Sequence, residues 1–295
     1  MKILILGAGG MLGSTLFRLL PDYGHEVYGT VRQSENTPIP FETFSKSDNL
    51  IFNIDVLNTD HLSNAITVLK PEIIINCIGI IKQLEISNDP LYVIPINSLL
   101  PYRLSDIADS IGSRLIHIST DCVFDGKKGN YLESDKPNAD DLYGKTKELG
   151  EVKNKPHVLT LRTSLIGHEL QSKYSLVDWF LGQDGKVNGY SRAIFSGLTT
   201  IELAKVLANN ILTKEFKSGL YHLAVNPISK LDLLTLIKDL YNKRIEITPS
   251  SEVLIDRSLN AERFNKDFLY NPPEWPQLIK EMKTYYDNFV RRGNV

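Results

Sequence analysis

Three side chains, Thr120, Tyr143 and Lys147, are of the types that deliver a proton to a carbonyl oxygen. In Tyr143-Gly-Lys-Thr-Lys147 the tyrosine and the last lysine stand at i and i+4, hence on one face of a helix. A free phenol titrates near ~10, too high for proton exchange at neutral pH. A nearby ammonium favours the phenolate, and bringing the pKa to roughly 7 takes about 4 kcal/mol of differential stabilisation. A close cation in a partly desolvated site supplies a field of that order, so Lys147 is expected to lower the tyrosine pKa. Upstream, the apolar run Leu115-Ile-His-Ile118 leads into Ser119-Thr-Asp-Cys-Val-Phe-Asp-Gly126. Thr120 then falls at the carboxyl end of a strand, where open α/β sheets bind their ligands. Its hydroxyl is expected to donate to a carbonyl that Tyr143 protonates. The plainer alternative is an exposed tyrosine–lysine stack and a threonine that satisfies its own turn.

These groups need a scaffold. Apolar runs at Lys2–Leu6, Glu26–Val31, Ile73–Cys77, Leu115–Ile118 and Val158–Leu161 lack polar alternation, as strands buried on both faces do. Between them Leu12–Leu20, Asp60–Leu69, Leu99–Ile111 and Leu142–Lys153 space apolar residues as helices do. Strands separated by helices imply right-handed crossovers and an α/β, doubly wound parallel sheet. Pro95 and Pro101 predict a kinked or divided helix around Asn97. Beyond Ser164 the alternation fades. Helices are expected at Asp178–Leu181, Thr200–Leu212, Leu231–Tyr241 and Gln277–Val290, with a strand at Gly219–Ala224.

The first strand enters Gly7-Ala-Gly-Gly10-Met-Leu-Gly13 and then a helix, an arrangement that lets the backbone approach a pyrophosphate at the helix N-terminus. The spacing is G-x-x-G-x-x-G. At the end of the second strand a carboxylate would bond a ribose 2′-hydroxyl and repel a 2′-phosphate. Here Thr30-Val31-Arg32 stands instead, and the Arg32 guanidinium suits phosphate, which favours NADP over NAD.

Composition narrows the partners. The chain has 295 residues, 42% hydrophobic and 23% charged, with a formal net charge of −2. Such a chain can bury a large core and has no overall field for nucleic acid or anionic lipid. Cys77 and Cys122 have neither metal-ligand spacing nor a disulfide pattern, which suits a reducing compartment. The start MKILILGAGG is too briefly apolar for a secretion signal, and Ile73–Ile81 falls well short of the roughly 20 residues of a membrane span. The expected location is the cytoplasm.

Taken together, the glycine turn, the Ser119-Thr-Asp-Cys-Val-Phe run and the Tyr143/Lys147 pair resemble extended short-chain dehydrogenase/reductases. Within that group the chain is most similar to the dTDP-4-dehydrorhamnose reductase family. Asn76, Asn97, Leu161-Arg-Thr-Ser164, Gly219-Leu-Tyr-His-Leu-Ala224, Ser258-Leu-Asn-Ala-Glu-Arg-Phe264 and Trp275 carry the resemblance nearly to the C-terminus. It implies a Rossmann domain over 1–163 and a smaller, discontinuous substrate domain over 164–295, with part of 196–225 returning to the first. It implies NADPH-dependent reduction, with NADH as an alternative cofactor, of a nucleotide-linked 4-keto-6-deoxyhexose for cell-surface polysaccharide, by a protein that forms homodimers. Thr120, Tyr143 and Lys147 take the catalytic roles. The expected cofactor contacts are Gly7, Gly10, Met11, Leu12, Gly13, Thr30, Arg32, Asp55, Asn76 and Cys77, with Tyr143 and Lys147. The expected substrate contacts are Asp121, Cys122, Lys173, Arg192 and Arg257, the cations being candidates for the diphosphate. Two departures concern the sugar: Cys122 stands for a tyrosine, and Leu165 for an aromatic residue. The family's acidic C-terminal metal positions have no assignable match, so no metal is expected. Two other readings use the same scaffold, an NAD-dependent sugar-nucleotide epimerase and a non-catalytic NADP-binding regulatory subunit.

Overall fold

The computed structural model describes residues 1–35, 48–170, 172–212 and 215–290, so 36–47, 171, 213–214 and 291–295 of the two expected domains lie outside it. The first half contains β1 (Lys2–Leu6), β2 (Glu26–Thr30), β3 (Leu50–Ile51), β4 (Ile73–Asn76), β5 (Arg114–Thr120) and β6 (Val158–Thr163). Its helices are α1 (Met11–Leu19), α2 (Thr59–Leu69), α3 (Pro90–Val93), α4 (Leu100–Ser110) and α5 (Leu142–Leu149). The second half adds β7 (Leu165–Ile166), β8 (Lys186–Tyr190), β9 (Ala193–Phe195), β10 (Leu198–Thr199), β11 (Gly219–His222), β12 (Ile228–Ser229), β13 (Glu246–Ser250) and β14 (Ile255–Asp256). Its helices are α6 (Leu176–Leu181), α7 (Thr200–Val206), α8 (Lys230–Tyr241), α9 (Glu262–Asp267) and α10 (Trp275–Tyr285).

Seven strands form one sheet in the order β11-β6-β5-β4-β1-β2-β3, with every pair parallel. This is the doubly wound sheet that the apolar runs require. Successive strand residues point to opposite faces, so β1 feeds two cores. Ile3 and Ile5 pack with α1 and the second-half helices, whereas Leu4 and Leu6 pack with residues of α2 and α4. β11 pairs with β6, so the chain returns to the main sheet after leaving it at Thr163.

Pro95 and Pro101 have the expected effect. Between α3 and α4 the backbone passes through a π-helical turn at Ile94–Leu99 that contains Asn97. Asn97 Oδ1 accepts from Ile80 N at 2.8 Å, and its Nδ2 donates to Ile80 O at 3.1 Å, tying the segment after β4 to this turn. Helix α5 stops at Leu149 rather than Lys153, because the chain turns inward to bury Glu151. The last helix starts at Trp275, two residues before the expected Gln277, and winds into a π-helical turn at Tyr286–Val290. The small sheets β10-β7, β12-β9-β14 and β13-β8 of the second half were not anticipated from the sequence.

One buried ion pair joins the elements beneath the sheet's carboxyl edge. Arg162 on β6 donates from Nε and Nη2 to the two Glu151 oxygens, each at 2.7 Å, and both side chains are almost fully buried. Ser119 of β5 donates to Glu151 Oε1, and the Arg162 guanidinium also meets His222 Nε2 of β11 at 3.2 Å. Burial alone would raise the Glu151 pKa, but Arg162 outweighs it and holds the carboxyl below its usual range. Glu151→Gln would leave an uncompensated guanidinium in the core, so unfolding free energy should fall by about 3–5 kcal/mol, measured by urea denaturation. A loss below about 1 kcal/mol would show that the pair does not carry this junction.

Candidate active site

Thr120 ends β5 and caps the short turn that follows. Its Oγ1 accepts from Cys122 N at 3.1 Å and donates to Asp121 Oδ1 at 3.0 Å. Asp141 begins α5 by accepting from Gly144 N at 2.8 Å, which sets the phase of the helix and turns Tyr143 and Lys147 toward β5. Gly144 permits the close approach, since a Cβ there would lie 2.3 Å from the Cys122 carbonyl oxygen. Tyr143 lies beside Thr120 and is partly buried. The three expected catalytic side chains therefore converge at the carboxyl edge of β5.

Their electrostatics differ from the expectation. Burial pushes the Tyr143 phenol up, helped by the nearby Cys122, Asp121 and Asp141, while the neighbouring Thr120 hydroxyl opposes the rise. The Lys147 Nζ donates to the Ile118 carbonyl at 2.7 Å, and burial lowers its own pKa to about 8. Burial is thus the largest influence on the phenol of the site without its cofactor. The ammonium is engaged by a strand carbonyl, and desolvation dominates the phenol.

The glycine turn has the shape a dinucleotide requires. Gly7 has φ +81°, and a Cβ at Gly13 would lie 2.1 Å from the Gly7 carbonyl oxygen, so the turn closes only with glycine. Asn58, Asp89, Asp141, Ser175, Thr199 and Ser229 each cap the helix that follows them with a side chain. At α1 the capping position is Gly10, which has no side chain, and the backbone N–H groups of Met11 and Leu12 open the helix. An uncapped first turn behind a glycine cradle fits a pyrophosphate.

The remaining expected residues are scattered in role. Thr30 is buried and lends its Oγ1 to Gly7 N at 3.3 Å, so it braces the turn. Arg32 is exposed at the end of β2 and donates to the Tyr92 hydroxyl at 3.3 Å. Asp55 is exposed and accepts from Leu57 N. Asn76 is fully buried, its Oδ1 accepting from Ile78 N and its Nδ2 meeting His117 Nδ1. Burial raises the thiol of Cys77, and it also raises that of Cys122, to about 12, so neither is a nucleophile at neutral pH. Arg257 follows β14 and reaches the site, its Nε donating to the Phe124 carbonyl at 2.8 Å. Arg192 and Lys173 are exposed, and neither side chain makes a hydrogen bond or ion pair among the described residues.

Two cations near the site were not foreseen. Lys82 pairs with Asp141 and lies 5.8 Å from the centre of the Tyr143 ring. Lys230 opens α8, with its ammonium 4.3 Å from the centre of the Phe195 ring. No motif marks either one, because their place depends on how the segments after β4 and β12 pack against the site. Among the described residues no cluster of His, Cys, Asp and Glu could hold a metal, and no helix is long and apolar enough to cross a membrane.

Known proteins resemble this chain in sequence and fold. The model of the RmlD substrate binding domain matches residues 1–287. The dTDP-4-dehydrorhamnose reductase of Aggregatibacter actinomycetemcomitans is 26% identical, over 96% of this chain and 99% of the relative. The β subunit of methionine adenosyltransferase 2 from Bos taurus is 29% identical over 51% of this chain and 41% of its own. The crystal structure of a hypothetical dTDP-4-dehydrorhamnose reductase from Sulfolobus tokodaii superposes with a TM-score of 0.76 at 28% identity, covering 92% of this chain and 98% of that one.

If the close contact of Gly144 with Cys122 assembles the site, Gly144→Ala should lower unfolding free energy by about 1–3 kcal/mol through overpacking. Thermal and urea unfolding of the variant check this, and unchanged stability would mean that helix and turn separate without cost.

Proposed function

The chain belongs to the RmlD substrate-binding domain family, and from that membership we propose that it reduces a nucleotide-linked 4-keto-6-deoxyhexose with NADPH, for cell-surface polysaccharide. The observation that carries this is the convergence of Thr120, Tyr143 and Lys147 on the carboxyl edge of β5. In this reading 1–163 holds the cofactor and 164–295 the sugar nucleotide, with the β11 segment completing the sheet. A cytoplasmic location and a homodimer belong to the same proposal; the unpaired state of Cys77 and Cys122 supports the first of these.

The backbone around Gly7, Gly10, Met11, Leu12 and Gly13 would hold the pyrophosphate, Arg32 the 2′-phosphate, and Lys147 the ribose. When bound, the cofactor supplies the hydride. The protein's task is to place and protonate the ketone. Burial keeps Tyr143 protonated, as a general acid awaiting substrate should be, and its proton passes to the carbonyl oxygen as charge develops there. Positive charge from the bound nicotinamide, with that of Lys147, would then stabilise the phenolate. Arg257 and Lys82 supply positive charge at the substrate side. Val31, buried beside the glycine turn, offers no carboxylate to a ribose hydroxyl, which weighs against the NAD-dependent epimerase.

The likeness to the transferase β subunit favours a second reading, a non-catalytic NADP-binding subunit. Turnover separates the two. Purified protein should oxidise NADPH with at least one member of a dTDP-, UDP- and GDP-keto-sugar panel, whereas NADPH binding without turnover supports the regulatory reading.

Tyr143→Phe should retain the fold and NADPH affinity while cutting turnover by roughly 10²–10⁴-fold. Near-normal turnover would remove Tyr143 from the mechanism.

NADPH should bind more tightly than NADH by about 1.5–3 kcal/mol, the range for a hydrogen bond to a charged group, or about one to two decades in affinity. Arg32→Ala should erase most of this gap and leave NADH binding nearly unchanged. Calorimetric titration of both proteins with both cofactors decides, and an unchanged gap would make Arg32 only a partner for Tyr92.

A further inference from the structure

The catalytic side chains and the glycine turn make no use of His168, a buried imidazole that follows β7. Its Nδ1 lies 2.6 Å from Asp178 Oδ1 of α6, and its Nε2 lies 2.8 Å from the Tyr241 hydroxyl at the end of α8. Tyr286, in the last π-helical turn, stacks on the imidazole with ring centres 4.0 Å apart. Elements remote from one another in the chain therefore meet at one ring.

The protonation of this cluster follows from its partners. Burial pushes the Tyr241 phenol up, so the hydroxyl keeps its proton and donates it to Nε2. Nδ1 then carries the imidazole proton and donates to Asp178 Oδ1. The second oxygen of Asp178 accepts from Glu169 N at 2.6 Å and from Ser175 Oγ at 3.1 Å. Both ring nitrogens are satisfied in the neutral form. An apolar side chain of similar shape would fill the same space with no hydrogen bonds to satisfy. What the imidazole adds is direction, since a fully satisfied buried network holds its members in one arrangement.

That orientation bears on the residue before it. Gly167 is pressed against the start of α1: a Cβ there would lie 2.8 Å from Thr200 Oγ1 and 3.4 Å from Met11 Cγ. Thr200 opens α7 directly after β10, the strand that pairs with β7. Its hydroxyl meets Thr15 Oγ1 of α1 at 3.1 Å, and that same Thr15 oxygen lies 3.0 Å from the Met11 carbonyl oxygen. The path from His168 through Gly167 thus ends on the first turn of α1, which no side chain caps.

We propose that His168 is a positioning residue for the dinucleotide: held by Asp178 and Tyr241, it keeps the Gly167 backbone against Met11 and Thr200 and so fixes the first turn of α1 where the pyrophosphate binds. This rests on the glycine turn as the cofactor site and is independent of the sugar. It also gives the C-terminal helix a part in cofactor binding, because Tyr286 follows α10 and covers the imidazole. Without its hydrogen bonds the ring turns, Gly167 backs away, and the N–H groups of Met11 and Leu12 lose their fixed aim.

The test measures NADPH and NADH affinity by calorimetry, and stability by urea unfolding, for wild type, Tyr241→Phe, His168→Phe and the double variant. Tyr241→Phe removes one hydrogen bond of the ring, and His168→Phe removes both while keeping a ring to stack on Tyr286. NADPH affinity should fall by about threefold to tenfold in the first and about tenfold to a hundredfold in the second, the sizes of one and two lost hydrogen bonds. NADH should weaken by the same factors, since both cofactors carry the pyrophosphate; Arg32→Ala, in contrast, separates them. The double variant sets two apolar rings where a hydroxyl faced a nitrogen, so it should be more stable than His168→Phe while its affinity stays low. In the cofactor-free proteins the backbone amide signals of Met11, Leu12 and Gly13 should move in both single variants.

A merely structural His168 would lower stability and leave cofactor affinity and these amide signals unchanged, and that result overturns the proposal. Affinity that recovers together with stability in the double variant overturns it equally. So does a loss confined to NADPH, which would put the effect at the 2′-phosphate. If wild type binds neither cofactor, the reading of the glycine turn itself fails, while the amide signals still decide whether His168 holds α1. Should His168→Phe not fold, Tyr241→Phe decides by itself.

Discussion

The site depends on one close approach, that of α5 to the turn after β5. With no side chain at Gly144, the helix backbone comes near enough to the Cys122 carbonyl to bring Tyr143 beside Thr120. Every other feature either enforces this contact or exploits it. Asp141 sets the helix phase from one end, and Ser98 Oγ donates to the Thr146 carbonyl from the side. At the other end Glu151 is pulled inward by Arg162, which also ties Ser119 and His222 into the same buried network. A parallel sheet supplies a straight edge, but it cannot by itself bring a helix face to that edge. The buried charges and the missing Cβ do so.

The two halves of the chain meet at the same place. The segment from Ile255 to Asn260 lies along the loop after β5, with Asp256 N donating to Gly126 O, Asn130 N to Ser258 Oγ, and Tyr131 N to Ser258 O. Phe124 and Tyr131 stack at 4.0 Å within that loop and form a small core with Val123 and Leu259. The residues that follow Thr120 are thus sandwiched, with the main sheet behind them and the β12-β9-β14 sheet in front. Asp121 is buried because of this sandwich, not because of its neighbours in sequence, and the cations that answer its charge come from the far half of the chain.

That geometry explains what the sequence could and could not show. β1, β4 and β6 were legible because strands buried on both faces read as unbroken apolar runs, and the start of each coincides with the first residue of its run. Pro95 and Pro101 marked the division at Asn97 because a missing N–H acts locally. β3, β7, β10, β12 and β14 are two residues long and owe their existence to partners remote in the chain, so no periodicity could announce them. Thr120, Tyr143 and Lys147 could be picked out by type and spacing. The environment of the phenol could not, since it arises from its desolvation and from Cys122, Asp121 and Asp141 packed around it. Spacing along a helix brings two side chains to one face, but it does not decide which group an ammonium will choose as its partner. Lys147 chose the Ile118 carbonyl.

The π-helical turn at Ile94–Leu99 carries a mechanical consequence. A helix advances about 100° per residue, so the number of residues in that turn fixes the rotation of α3 relative to α4 as a gear tooth fixes a shaft. Asn97 sits on that tooth and grips both backbone groups of Ile80, much as a neighbouring strand would. Shortening the turn by one residue would leave the composition of the segment almost unchanged. It would nevertheless swing one helix by a quarter of a revolution or more against the other and withdraw the amide from the chain it holds. Length, more than residue identity, is therefore the quantity this stretch must conserve.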